Sequence, residues 1–209
     1  AFGMALAFVI FAGSELFTGN NLSCAAGALA GAITWKTVGH IWMVSFAGNL
    51  LGSLGLAWLV AQSGVLSHAP QIDLVLHTAA AKMNLSAWEL FMRGILCNWL
   101  VCLSVWMAGR LSSETAKLIV IFWCLLAFVG SGFEHSIANQ SLLGLALFHP
   151  HPGTVSWGGF LWNQAWVVLG NVIGGAVFVA GAYWLAAAPI PQHRPEVSVT
   201  AVSAQSARV

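Results

Sequence analysis

Gly13-Ser14-Glu15-Leu16-Phe17-Thr18-Gly19-Asn20 and Gly132-Phe133-Glu134-His135-Ser136-Ile137-Ala138-Asn139 decide the reading of this chain. Each is a short polar interruption of a long apolar stretch, the first within residues 1–33 and the second within 118–148. Each carries a carboxylate near the centre of its stretch. The apolar arms on either side are too short to cross a bilayer alone, because a core about 30 Å thick takes roughly 20 helical residues. The spacing therefore predicts two broken helices. Irregular backbone at membrane depth survives only inside protein or beside a water-filled cavity, since lipid offers free N–H and C=O groups no partner.

The two interruptions are copies of one another. Gly13, Glu15 and Asn20 align with Gly132, Glu134 and Asn139 at an offset of 119. Ile33-Thr34-Trp35 aligns with Val155-Ser156-Trp157, and Gly48-Asn49-x-x-Gly52 with Gly170-Asn171-x-x-Gly174, both at an offset of 122. Three membrane crossings separate the copies, and an odd number inverts the second. Inverted repeats whose discontinuous helices meet at the midplane mark transport folds, with the site at the breaks. Gly48/Gly52, Gly170/Gly174 and Gly27/Gly31 are read as small-xxx-small helix contacts.

The remaining apolar stretches are ordinary spans at about 40–61, 90–109 and 159–187, the last long enough to tilt or protrude. Residues 63–88 form an external connection with a short helix of its own. A helix precedes the second broken stretch, whereas only 14 residues precede Glu15. The repeat thus predicts six spans in two three-helix halves, with the opening helix outside this sequence. Residues 1–188 are expected to form the channel domain, and 189–209, rich in Pro, Ser, Ala and Val, a disordered tail.

Composition agrees. Charged residues make up 6% of the 209 positions and hydrophobic ones 59%, with a mean hydropathy of +0.84. Soluble domains carry roughly 25% charged residues. A net charge of +1 gives nucleic acid nothing to bind. Lys36, Arg110, Lys117, Arg194 and Arg208 fall on one side, and only Lys82 and Arg93 on the other. The positive-inside rule places the C-terminal tail in the cytoplasm. Cys24, Cys97, Cys102 and Cys124 sit in apolar runs without a CxxC pair and read as small buried hydrophobes.

Ionisable groups at the bilayer centre cost about 2.5–3.5 kcal/mol or more and are functional candidates by default. Glu15, Glu134 and His135 qualify. An imidazole changes charge near neutral pH, so His135 could protonate or hold a weak-acid anion. Glu15 and Glu134 share a repeat position and read as loop-stabilising groups that accept backbone amides freed at the breaks. Thr18 could hydrogen-bond a small anion or cap the following half-helix. Asn98, polar in an apolar span, either bonds a neighbouring helix or faces a pore. Lys82 could draw anions toward a vestibule. His149-Pro150-His151 is a weak metal-like pattern without a matching acid or Cys. No metal or cofactor is expected, and no nucleophile converges on the breaks, so an intramembrane enzyme is disfavoured. A neutral-solute channel of the aquaporin sort would repeat Asn-Pro-Ala at its breaks, and neither Asn20 nor Asn139 begins such a triplet.

Gly13–Asn20, Cys97-Asn-Trp-Leu-Val-Cys-Leu103, Ser131–Asn139 and Gly170-Asn-Val-Ile-Gly-Gly175 resemble the signature segments of the formate/nitrite transporter family, from residue 1 to about 185. Ser14–Asn20 and Trp123–Phe128 resemble its nitrite-channel branch. The resemblance implies an all-α integral membrane protein: an aquaporin-like six-helix protomer of two inverted three-helix repeats, in a homopentamer of the bacterial inner membrane. It places the family's central histidine on His135, its loop threonine on Thr18, its pore asparagine on Asn98 and its vestibule lysine on Lys82. It places the apolar constrictions on Phe2, Leu6, Leu16 and Phe128. Asn20 and Asn139 join Glu15 and Glu134 as loop-stabilising residues. The implied cargo is nitrite with protons. Formate or hydrosulfide remains the alternative, since nothing in the physics selects among these anions.

Overall fold

The computed structural model describes residues 2–187, with Phe2 through its backbone only. The expected tail at 189–209 lies outside the described residues. The helices are α1 (Phe2–Ala12), α2 (Phe17–Leu29), α3 (Trp35–Ser63), α4 (Gln71–Met83), α5 (Ala87–Arg110), α6 (Glu114–Gly130), α7 (Ser136–Leu147) and α8 (Trp157–Ile173). A π-helical stretch, Gly174–Gly181, carries α8 on into α9 (Ala182–Ala187). Three helical segments are long and apolar enough to cross a membrane: Trp35–Ser63, Ala87–Arg110 and Trp157–Ala187. The α1/α2 and α6/α7 pairs are the two broken helices, and α4 is a short helix in the connection between α3 and α5.

Both breaks are built the same way. Gly13 and Gly132 each have φ +70°, a left-handed conformation that glycine adopts without a Cβ penalty. The amide of Ser14 then donates back to the carbonyl of Val9 at 3.0 Å, and that of Phe133 to Phe128 at 3.1 Å. This wrap-around bond ends the first half-helix of each pair. Leu16 (φ −124°, ψ 117°) and His135 (φ −107°, ψ 117°) are extended and open the second half-helices. The aligned Thr34 and Ser156 prove to be equivalent N-caps, their hydroxyls accepting the amides of Thr37 and Gly159.

The most intimate helix contact is that of α5 with α8. A Cβ on Gly170 would run into the backbone oxygen of Phe91, and one on Gly174 into that of Ile95. A Cβ on Gly94 would meet the oxygen of Val167 at 2.9 Å. Backbones this close need glycine on both faces. The other two glycine pairs differ from expectation. Gly31 has φ +74° and terminates α2 instead of packing against a helix. Gly48 and Gly52 meet nothing within 4 Å among the described residues, although their repeat partners hold α5.

Leu6, Cys97, Val101, Ile121, Leu125 and Phe128 form one buried apolar cluster with Leu16 packed against it. Large apolar side chains such as Met43, Leu51, Trp123 and Leu161 remain exposed on the outside. An all-helical chain with an apolar exterior is a multi-pass membrane protein.

Candidate functional site

His135 and Thr18 meet where the two breaks face each other. His135 Nε2 lies 3.0 Å from Thr18 Oγ1, and both residues are buried. His135 is also the N-cap of α7, its Nδ1 accepting the amide of Ala138 at 3.1 Å. Nδ1 is therefore without a proton, and Nε2–H points at the threonine oxygen. The hydrogen of the threonine hydroxyl is left for another acceptor. Thr18 is not the cap of its own half-helix: Leu16 holds that position, with no side-chain cap bond. The ring of Phe128 stacks on the imidazole at 5.9 Å between centroids and 23° between planes.

A cavity of about 410 Å³ opens beside this pair. Leu6, Leu16, Phe128 and His135 all line it. Three constriction residues and the imidazole named from the sequence thus share one apolar chamber. The fourth constriction residue, Phe2, has its side chain outside the described residues. Thr18 is not among the residues that line the chamber.

Asn98 is fully buried in the wall behind Thr18. Its Nδ2 donates to the carbonyl oxygens of Thr18 (3.2 Å) and Asn171 (2.7 Å) and to Oδ1 of Asn21 (3.1 Å). It binds neighbouring helices, one of the two readings its sequence position allowed. Cys102 Sγ donates to the same Thr18 carbonyl at 3.3 Å, so this thiol does more than fill space.

Lys82 is not a lone solvated lysine. Its Nζ makes an ion pair at 2.7 Å with Glu134 Oε1, and Glu134 is 1% exposed. The other carboxylate oxygen of Glu134 accepts from Asn139 Nδ2 at 2.6 Å, and Asn139 donates again to Asn163. In the first repeat Asn20 Nδ2 holds Glu15 Oε2 at 2.7 Å. The glutamate–asparagine pairs named as loop-stabilising are present in both halves. Their chemistry differs from expectation: side-chain amides hold the carboxylates, and the amides freed at the breaks go elsewhere.

They go to two asparagines that sequence reasoning passed over. Asn49 Oδ1 accepts the amide of Phe17 at 2.9 Å, while its Nδ2 donates to the carbonyl of Glu15 at 3.0 Å. Asn171 Oδ1 accepts the amide of Ser136 at 2.9 Å, and its Nδ2 donates to the carbonyls of Glu134 (3.0 Å) and Gly94 (2.8 Å). Each asparagine brackets one residue from both sides: Leu16 in the first half, His135 in the second. The signal was the aligned Gly-Asn-x-x-Gly, of which only the glycines were given a role. Among the described residues no group of three or more His, Cys, Asp or Glu could hold a metal ion.

Known proteins resemble this chain in sequence and in fold. The chain is 45% identical over 185 residues to the nitrite transporter NirC of Escherichia coli (strain K12), covering 88% of this chain and 69% of that one. NirC of Salmonella typhimurium is 42% identical over 203 residues, with 94% and 75% covered. Among solved structures, an FNT family ion channel superposes with a TM-score of 0.84 at 43% identity, covering 88% of this chain and 74% of its own. A pentameric formate channel with formate bound gives 0.77 at 30% identity, covering 88% and 79%. These relatives are transporters and channels. The formate/nitrite transporter model matches residues 1–185, the whole span of both repeats and both breaks, and the chain belongs to that family.

Proposed function

We propose that this protein passes nitrite, a small monovalent weak-acid anion, across the bacterial cytoplasmic membrane, linked to protons through His135. The observation that carries the reading is the Nε2–Oγ1 contact of 3.0 Å between His135 and Thr18, set against an apolar chamber. An anion inserted between the two accepts a hydrogen bond from Nε2–H and another from the threonine hydroxyl. These replace part of its hydration. Leu6, Leu16 and Phe128 offer a bare ion nothing, so a neutral acid crosses them more cheaply. Asn98 acts from behind by fixing the Thr18 carbonyl. Lys82 raises the potential at the chamber only in part, because Glu134 balances it.

The proton step needs a second state of His135. Nδ1 gives up the Ala138 amide and takes a proton, making imidazolium. Nε2 then passes its proton to the anion. The products are a neutral acid and a neutral imidazole with its proton on Nδ1, so charge balances. The same reading includes a homopentamer, a cytoplasmic C-terminus and a channel domain over 1–188. The nitrite transporters at 42–45% identity support nitrite; the formate-bound structural relative supports formate as the second cargo to test.

Replacing His135 by Gln keeps an amide nitrogen near Nε2 but removes the titrating group. Nitrite flux in the His135→Gln protein should persist at a level roughly tenfold or more lower. It should also lose its response to an imposed pH gradient. An unchanged response, measured in proteoliposomes, would rule out this residue as the proton link.

A further inference from the structure

The chamber beside His135 is walled by α1, α3, α5, α6 and α7, and its lining is almost wholly aliphatic or aromatic. Among the described residues only two of the lining side chains carry a hydrogen-bonding group, His135 and Ser141. Ile137, Ala138, Ser141, Leu142 and Leu145 recur at the spacing of one helix face, and that face of α7 is a wall of the chamber. Ser141 is half-buried on it. Its oxygen is one bond from Cβ, so the hydroxyl cannot leave the wall to which the residue belongs.

Other helical hydroxyls in the molecule fold back onto carbonyls of their own helix: Ser23 onto Gly19, Ser45 onto Trp42, Ser63 onto Val60 and Thr78 onto Leu74. Among the described residues no protein group holds the Ser141 hydroxyl in that way. Ser141 follows His135 by a turn and a half of α7, which at about 1.5 Å per residue is roughly 9 Å along the helix. Leu145, one turn further on, lines the chamber with Leu66 of the connection between α3 and α4. A small anion is shorter than the step between the imidazole and the hydroxyl, so the two would act in succession.

We infer that Ser141 is a second solute-contacting residue of the pore, a hydrogen-bonding station for small weak-acid oxyanions between His135 and the part of the chamber lined by Leu66 and Leu145. The inference rests on the channel reading above. A hydroxyl both donates and accepts. It donates to the anion and accepts from the acid hydrogen of the protonated form, whereas Nε2–H of the neutral His135 ring only donates. Ser141 thus serves the solute on either side of the proton step. The neighbouring Leu142 and Leu145 offer neither form a partner, and polar groups taken from water without one are costly.

The test uses the complete protein in proteoliposomes, with initial rates of nitrite and of formate uptake at low anion concentration, per folded molecule. Ser141→Ala removes the hydroxyl and adds no bulk. A hydrogen bond of ordinary net strength corresponds to a change of about two- to tenfold in an equilibrium constant. Flux of both anions through Ser141→Ala should fall by about that factor. Ser141→Thr and Ser141→Val match one another in shape and differ by the hydroxyl, so the threonine variant should carry several times the flux of the valine variant. Wild-type rates in Ser141→Ala, or equal rates in Ser141→Thr and Ser141→Val, would overturn the inference and leave the channel reading standing. Flux of neither anion through the wild type would overturn both.

Discussion

The Lys82→Met protein should be less stable than the wild type by about 3–5 kcal/mol, the usual cost of stripping one partner from a buried ion pair. Lys82 Nζ sits 2.7 Å from a carboxylate that is 1% exposed, and no other cation pairs with Glu134 among the described residues. Asn139 supplies one hydrogen bond but no charge. For a chain of 209 residues this loss corresponds to a fall in Tm of roughly 10 °C. Adding Glu134→Gln should recover most of it, because the stranded charge is then gone while the amide still fills the site. Thermal melting of the detergent-solubilised protein measures both variants. A single Lys82→Met substitution without effect on Tm would mean that the pair contributes nothing in the membrane protein. The expected defect follows from where α4 sits. Its last turn reaches down to the second break, and Asn163 Nδ2 holds the carbonyl of Lys82 itself at 3.1 Å.

Asn171→Leu, close in size, should do comparable damage by another route. It orphans the amide of Ser136 and the carbonyl of Glu134 together, and removes the tie to the Gly94 carbonyl of α5. Each buried polar group left without a partner costs about 1–3 kcal/mol. The functional effect should exceed the loss of folded protein, because the bracket spans His135. A ring displaced by roughly 1 Å can cost about 100-fold in a proton-transfer step. We therefore expect nitrite flux per folded molecule to fall at least tenfold and its pH profile to shift. Asn49→Leu is the internal control. It removes the two bonds around Leu16 and leaves the two around His135 in place, so it should lower flux without moving the pH profile. Equal shifts in the two variants would show that the brackets act only on stability. Circular dichroism and size-exclusion chromatography separate the folded fraction from the flux.

Much of this architecture was readable before any coordinates. Two carboxylates in apolar stretches, each two residues beyond a glycine, located both breaks. The structure explains the glycines: Gly13 and Gly132 share a left-handed conformation that ends a half-helix. The aligned Thr34 and Ser156 were landmarks without meaning until they proved to be equivalent caps. His135 stood out because a titratable ring at membrane depth is costly. Its contact with Thr18 was not legible, since a contact across 117 positions leaves no trace in local spacing. Lys82 was harder still. It lies in a connection that reads as external, and only the fold brings it to Glu134. Asn49 and Asn171 were overlooked for a different reason. An asparagine beside two helix-packing glycines looks incidental until the break it brackets is in view. The glycine pairs, conversely, were treated as alike. Gly170 and Gly174 meet α5 backbone to backbone, while Gly31 is a helix terminator, and periodicity cannot tell the two uses apart.

The most direct test of the account is nitrite flux into proteoliposomes of the complete protein, with and without an imposed pH gradient, beside formate under the same conditions. The account predicts nitrite flux that saturates, rises when the gradient favours proton movement with the anion, and outpaces formate. Robust formate flux with no nitrite flux would keep the family and the fold and contradict the cargo. Nitrite flux indifferent to the gradient would contradict the proton link at His135.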